Sequence, residues 1–304
     1  MMGRLYLLLL TTLCLPLLAQ GAGTAPAFTL KNTAVHTLTD DNGNQYRVSI
    51  AWPEAAPPEN GFPIYYLLDG NDNFATVTDH ARRLARYHAV TPGIVVGIDY
   101  PETDSRRSLD YTPASPLSSL PNGMAVGGAE PFRAFLKHQL LPTVEAKFHV
   151  DTSRRALYGH SFGGLFVLDT LFTEPSLFNT YVAASPSIWF ANHIRLTKLA
   201  PFASALSHTA SNQAVPTLLL TVGEHEGMPP PWANYHRTSP EHQASHESPL
   251  VTDSRQLAER LQRIPALRLI HRILADETHG TSPLPTLADS LPYAFADPSL
   301  ERRP

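Results

Sequence analysis

The sequence predicts an α/β domain in which a mostly parallel central sheet carries helices on both faces. Short, almost wholly apolar runs, such as residues 64–68 and 93–98, have the composition of strands buried on both sides. These runs alternate with longer segments of helical spacing, the pattern of strand and crossover helix. Between one strand-like run and one buried helical run stands Gly159-His160-Ser161-Phe162-Gly163, a G-x-S-x-G turn. A chain of 304 residues that is 43% hydrophobic is ample for one large domain of this kind.

In chain order, residues 34–39 and 46–52 carry β-forming residues on either side of Asp40-Asp41-Asn42-Gly43-Asn44, which predicts a hairpin. A Pro-rich loop over residues 53–63 leads into the strand 64–68, which stops at Asp69-Gly70. Residues 74–88 have helical spacing with arginines on one side, and 93–98 form the next strand. Residues 131–148 read as a helix, 154–158 as a strand and 165–172 as a buried helix. Strands at 179–184, 215–222 and 267–274 complete the sheet, with no internal repeat. Two stretches break the alternation. Residues 105–128, rich in Pro, Ser, Gly and Asn, predict a loop over the top edge of the sheet. Residues 228–249 hold Pro229-Pro230-Pro231, Trp232, Tyr235 and three histidines, and a connection of that length is a lid, a binding loop or disordered.

The first residues read differently from the rest. Arg4 gives a short basic start, residues 5–19 are almost wholly apolar, and Ala19-Gln20-Gly21 supplies small residues for cleavage. This predicts a secretory signal peptide over 1–21 and a domain over 22–304. The apolar run is shorter than the roughly 20 residues needed to span a bilayer, so a retained anchor is the alternative and no stable membrane span is expected after cleavage. The single cysteine, Cys14, lies in the leader behind bulky Leu13, which argues against lipid attachment. The mature chain would then hold no cysteine, and no disulfide could staple it. Losing Arg4 with the leader takes the formal charge from −4 to −5, which gives no basis for nucleic-acid binding.

A serine hydroxyl is a poor nucleophile until a base takes its proton, and the base works best when a carboxylate orients it. On an α/β-hydrolase sheet the partners follow in the order Ser, acid, His. Ser161 is the candidate nucleophile, and His279, which follows the last predicted strand and precedes Gly280, is the candidate base. Glu226, which has the G-x-x-acid spacing after Gly223, is the candidate acid, with Glu224, nearer the strand end, and a serine-histidine dyad as the alternatives. An oxyanion hole needs two N–H donors, for which the backbones of Phe162 and Asn71 are the candidates. His242 and His246 stand at i and i+4 but lack the glutamate of a zinc-protease helix and sit in a polar, Pro-rich loop, so no metal and no cofactor is expected.

Taken with the serine turn, the motifs Leu67-Leu68-Asp69-Gly70-Asn71, Arg106-Arg107-Ser108-Leu109-Asp110-Tyr111-Thr112-Pro113, Gly127-Gly128-Ala129-Glu130-Pro131-Phe132 and Ser185-Pro186-Ser187-Ile188-Trp189 make the chain resemble the esterase D-like family. The resemblance spans about residues 64–280, and is strongest to periplasmic esterases of trilactone catecholate siderophores such as enterobactin and salmochelin. It implies an α/β-hydrolase fold, Ser161 as nucleophile, His279 as base, and hydrolysis of the ester bonds of a ferric siderophore to release iron. Departures are Phe190 after Trp189, where relatives often carry a second Trp, and the 228–249 loop.

A ferric tris-catecholate is a bulky trianion, so its site wants positive charge and aromatic surface near the serine. Arg106 and Arg107 are candidates for the charge and Trp189 for the surface. Structural pairing of the arginines with Glu102, Asp104 or Asp110 is the competing reading. A general carboxylesterase on small or aromatic esters, and a non-catalytic siderophore-binding protein, are the alternative functions.

Overall fold

Side chains alternate across each central strand, and that alternation splits the core into two layers. The computed structural model describes residues 29–101, 105–208, 215–227 and 248–296. The leader expected at 1–21 and nearly all of the 228–249 loop lie outside the described residues, as do His242 and His246.

Strands β1 (Thr33–Thr39) and β2 (Gln45–Ala51) form the expected hairpin, closed by Asp40, whose carboxylate accepts the Asn42 and Asn44 N–H groups at 2.9 and 2.8 Å. There follow β3 (Phe62–Leu68), α1 (Gly70–Arg86), β4 (Ile94–Asp99) and a single turn, α2 (Arg107–Asp110). Helix α3 (Ala129–Phe135) runs through one π-helical turn into α4 (Leu141–Glu145). Strand β5 (Val150–His160) leads to α5 (Phe162–Thr173), β6 (Thr180–Ala184) and a distorted turn, α6 (Phe190–His193). The last described elements are α7 (Leu199–Ser207), β7 (Thr217–Gly223), α8 (Pro249–Leu261), β8 (Arg268–Leu274) and α9 (Pro283–Ala294).

Two helices start earlier than their apolar periodicity predicts. Helix α1 begins at Gly70 instead of 74, because Asp69 turns the chain at a φ of 53° directly off the strand. Helix α5 begins at Phe162 instead of 165, because the serine turn takes a single residue. Polar and glycine residues in those first turns hide the helix from a hydrophobic pattern.

The eight strands among the described residues lie in the order β1-β2-β4-β3-β5-β6-β7-β8, antiparallel among β1, β2 and β4 and parallel from β4 to β8. This is the mostly parallel α/β sheet expected. From β3 the chain crosses to β4 on one side, then returns to lay β5 on the other. The carboxyl ends of β3 and β5 therefore flank a topological switch point, where a crevice opens at the sheet edge.

One layer packs Tyr65, Leu67, Tyr158 and Leu219 of the strands against Val77 and Ala81 of α1 and Leu287 and Leu291 of α9. The opposite layer packs Tyr66, Leu68, Leu157 and Leu220 against Phe132, Phe166, Phe202 and Leu257. Two buried tyrosines have their hydroxyls satisfied: Tyr65 meets Ser290 Oγ at 2.6 Å and Tyr66 donates to Glu145 at 3.1 Å. Among the described residues no helix is long and apolar enough to cross a membrane.

Candidate active site

Strand β5 and helix α5 meet at Ser161, whose backbone stands at φ 60° and ψ −117°. A non-glycine residue in such a region stores on the order of 1–3 kcal/mol and persists only when its surroundings hold it. They do so here on both sides. The Ser161 N–H donates to the Ala184 carbonyl at 3.0 Å, and the Ser187 N–H donates to the Ser161 carbonyl at 3.1 Å. The bend brings strand and helix so close that a Cβ at Gly159 would lie 2.3 Å from the Gly163 backbone. A Cβ at Gly164 would lie 2.9 Å from the Ala184 carbonyl oxygen, so the two crowded glycines are 159 and 164, whereas Gly163 has ordinary contacts.

Three side chains converge on this bend. His279, in the loop between β8 and α9, places Nε2 3.0 Å from Ser161 Oγ and Nδ1 2.6 Å from Glu226 Oε2. Glu226 is 1% exposed and accepts the Gly223 N–H at 3.1 Å. Burial pushes its carboxyl up, but hydrogen bonds from His279, Ser185 and Gly223 together with the His279 charge outweigh that, and it sits below the ordinary carboxylate range. An ionised Glu226 holds the imidazole proton on Nδ1, which leaves Nε2 free to accept the serine proton. Glu224 is exposed and instead accepts the Asp276 N–H at 3.1 Å. Of the alternatives open in the sequence, the geometry joins Glu226, not Glu224, to the histidine. Such an arrangement can transfer the Ser161 proton to His279 as Oγ attacks an ester carbonyl, then return it to the leaving alcohol.

The other expected site residues are placed as follows. Phe162 is the first residue of α5, where helical N–H groups have no intrahelical acceptor, in keeping with a donor beside the serine. Asn71 is corrected: its N–H donates to Asp99 Oδ2 at 2.6 Å, so it is not free to meet an oxyanion. Arg107 is paired within the protein. Its guanidinium grips Asp69 at 2.7 and 2.9 Å and donates to the His160 carbonyl at 3.1 Å. That pair ties the end of β3 to the end of β5. Arg106 is drawn to Asp110 at 3.4 Å, the structural pairing the sequence left open. Trp189 is 47% exposed, with its ring centroid 6.1 Å from that of Phe162, so its face is available beside the serine.

Comparison with known proteins identifies the scaffold. The family model described as "Putative esterase" matches residues 40–286. The chain belongs to this esterase family. It is 35% identical to the ferri-bacillibactin esterase BesA of Bacillus subtilis over 79% of this chain and 80% of that protein. It is 38% identical to the siderophore triacetylfusarinine C esterase of Aspergillus fumigatus, over 67% and 72% of the two chains. Among solved structures, the siderophore hydrolase EstB from Aspergillus nidulans superposes with a TM-score of 0.78 at 28% identity, covering 91% of this chain and 99% of that one. The protein is a carboxylic ester hydrolase of α/β fold.

Several residues of the esterase site carry no signal in the sequence. Ser185, at the end of β6, bonds Glu226 and meets Ser282 Oγ at 2.9 Å. Asp69 is recognisable only as a turn residue until Arg107 is seen against it. His160 precedes the serine and lies with its ring centroid 4.5 Å from that of His279. Burial, then the charges of His279 and Arg107, push His160 down to about 4. The His160 ring is thus neutral beside the base across the neutral pH range, and its Nε2 is buried with no partner among the described residues.

That burial has a measurable cost at low pH. The unfolded chain takes up a proton on His160 near pH 6.5 that the folded chain refuses until about pH 4. His160 therefore weakens the fold progressively as pH falls from about 6.5 to about 4, by a limit of about 3 kcal/mol. The melting temperature of His160→Asn should accordingly drop less than that of the wild type between pH 7 and pH 5, by several degrees. Identical slopes in the two proteins would contradict this.

An open cavity of about 360 Å³ is lined by Asp72, Asn73, Thr76, Gly280, Thr281 and Leu284 among others. Glu224, His225 and Asp276 bring potential ligand atoms within 4.8 Å of one another at the surface, but Glu224 is already engaged with the Asp276 backbone.

Proposed function

We propose that this esterase hydrolyses the backbone ester bonds of a ferric trilactone siderophore of the enterobactin type to release iron, acting in the periplasm after loss of its leader. The observation that carries the chemistry is the bridge of His279 between Ser161 Oγ at 3.0 Å and Glu226 at 2.6 Å. The substrate class is supported by the names of relatives that share at least 35% identity, a bacillibactin esterase and a fusarinine esterase. The half-exposed Trp189 supports an aromatic or otherwise bulky group beside the serine. Its leader-like first residues support export.

A second reading is favoured by one observation. Both arginines expected to meet a trianion are paired with carboxylates, Arg107 with Asp69 and Arg106 with Asp110. A paired guanidinium complements an anion weakly, which favours an uncharged ester of the same general build. Incubating the purified mature protein with ferric enterobactin, with an uncharged ferric trihydroxamate triester and with a nitrophenyl ester separates the readings. Linear dihydroxybenzoyl-serine oligomers by liquid chromatography are expected from the first. Turnover of the nitrophenyl ester alone would overturn the siderophore reading and leave a general carboxylesterase.

A further inference from the structure

Ser187 stands outside the serine, histidine and glutamate constellation, yet it is 2% exposed and its hydroxyl oxygen lies 3.3 Å from Ser161 Oγ. Buried hydroxyls are hydrogen-bonded as a rule, and among the described residues Ser161 Oγ is the partner of this one. It is not a helix cap. The turn that follows uses the Ser187 carbonyl, which accepts the Phe190 N–H at 3.1 Å, and no backbone N–H among the described residues donates to the Ser187 hydroxyl.

The backbone that carries that hydroxyl is fixed from several sides. The Ser187 N–H is bonded to the Ser161 carbonyl at 3.1 Å, and the Ser185 N–H to the Thr221 carbonyl at 2.8 Å. Pro186 presses on α5 so closely that a Cβ at Gly164 would lie 3.0 Å from its Cα. Residues 184–187 are therefore bound to the same bend that strains Ser161, which holds the backbones of the two serines side by side.

Proton positions decide the direction of the bond. With Nδ1–H directed to Glu226, His279 Nε2 is an acceptor, and the Ser161 hydroxyl spends its one proton on it. Ser161 Oγ can then only accept from Ser187. As the Ser161 proton passes to His279, negative charge builds on Oγ before the new Oγ–carbon bond carries it on to the carbonyl oxygen, and a donor already aimed at Oγ strengthens its bond at that point. When water attacks the acyl-enzyme, His279 takes the water proton as the new oxygen–carbon bond forms and delivers it to Oγ as the Oγ–carbon bond cleaves to release the acid, and the same donor meets the departing oxygen. Ser187 neither gains nor loses a proton in either half-reaction.

We infer that Ser187 is a further catalytic residue of this esterase, a fixed hydrogen-bond donor to the nucleophile oxygen while that oxygen makes and breaks its bond to carbon; the inference rests on Ser161 being the nucleophile. The test is stopped-flow hydrolysis of a nitrophenyl ester by wild type, Ser187→Ala, Ser187→Cys and Ser161→Ala, resolving the acylation burst from the steady state, with a thermal melt of each. Loss of one hydrogen bond to a charge-bearing oxygen should slow both phases about 10- to 100-fold. Cysteine nearly matches serine in shape but donates weakly, so it should be as slow as alanine. If cysteine restores the wild-type rate, or if either folded variant stays within about threefold of it, Ser187 serves packing alone and the inference is overturned. Should the alanine variant fail to fold, the cysteine variant decides by itself. Activity surviving in Ser161→Ala would instead overturn the nucleophile, a separate failure.

Discussion

Replacing Ser161 by alanine should lower ester hydrolysis about 10⁴-fold or more while leaving the protein folded. Members of a nucleophile, base and acid set act as a unit, so removal of the nucleophile costs nearly the whole of what the set contributes. What remains is the modest acceleration from binding and from the Phe162 N–H. The substitution deletes one oxygen whose partners are His279 Nε2 and Ser187 Oγ, and the backbone bonds that hold the bend, to Ala184 and from Ser187, do not involve it. Alanine at φ 60° is no less strained than serine, so the melting temperature should stay close to that of the wild type. Initial rates on a nitrophenyl ester and labelling by a fluorophosphonate check this directly. Loss of both activity and stoichiometric labelling with an unshifted melt is the expected result; a variant that keeps more than about a tenth of the rate would remove Ser161 from the chemistry.

What could be read in the sequence was whatever the chain encodes locally or by strand order. The serine turn is contiguous, so Gly159 to Gly163 announces itself. His279 and Glu226 are legible because each follows a strand whose carboxyl end must point to the same sheet edge. Arg107 illustrates the opposite case. Its partner Asp69 is 38 residues away, and nothing short of the β3-β5 adjacency shows that the two meet. Read alone, an arginine in a loop is as suited to an anionic substrate as to a structural carboxylate. Asn71 failed for a related reason, since the Asp99 carboxylate that captures its N–H stands at the end of the neighbouring strand β4. Ser185 and Ser187 were invisible because serine is common in loops, and only the strained exit from β6, with Ser185 at φ 40°, aims one hydroxyl at Glu226 and the other at Ser161.

The acid is where the geometry makes its sharpest demand. Glu226→Gln should cost about as much activity as the loss of an orienting carboxylate does in serine hydrolases generally, on the order of 10⁴-fold, although the two side chains have nearly the same shape. Three donors converge on Glu226: His279 Nδ1, the Gly223 N–H and the Ser185 hydroxyl. A carboxylate has two acceptor oxygens to share among them, but an amide has one oxygen and an NH₂ that is itself a donor. If the NH₂ faces Gly223, a backbone donor is left unpaired in a buried place. If it faces His279, the imidazole must turn its proton to Nε2, and it can then no longer take the proton of Ser161. Either orientation also removes the negative charge that stabilises the imidazolium formed after proton transfer. Glu224→Gln should change the rate by less than about twofold, because its exposed carbonyl oxygen can still accept the Asp276 N–H and nothing there touches the histidine. Steady-state rates of the two variants side by side provide the measurement, with melts to show that both are folded. Small, equal losses would mean that Ser161 and His279 work as a dyad in which the buried carboxylate serves only to hold the loop, and a larger loss at Glu224 would make that residue the acid.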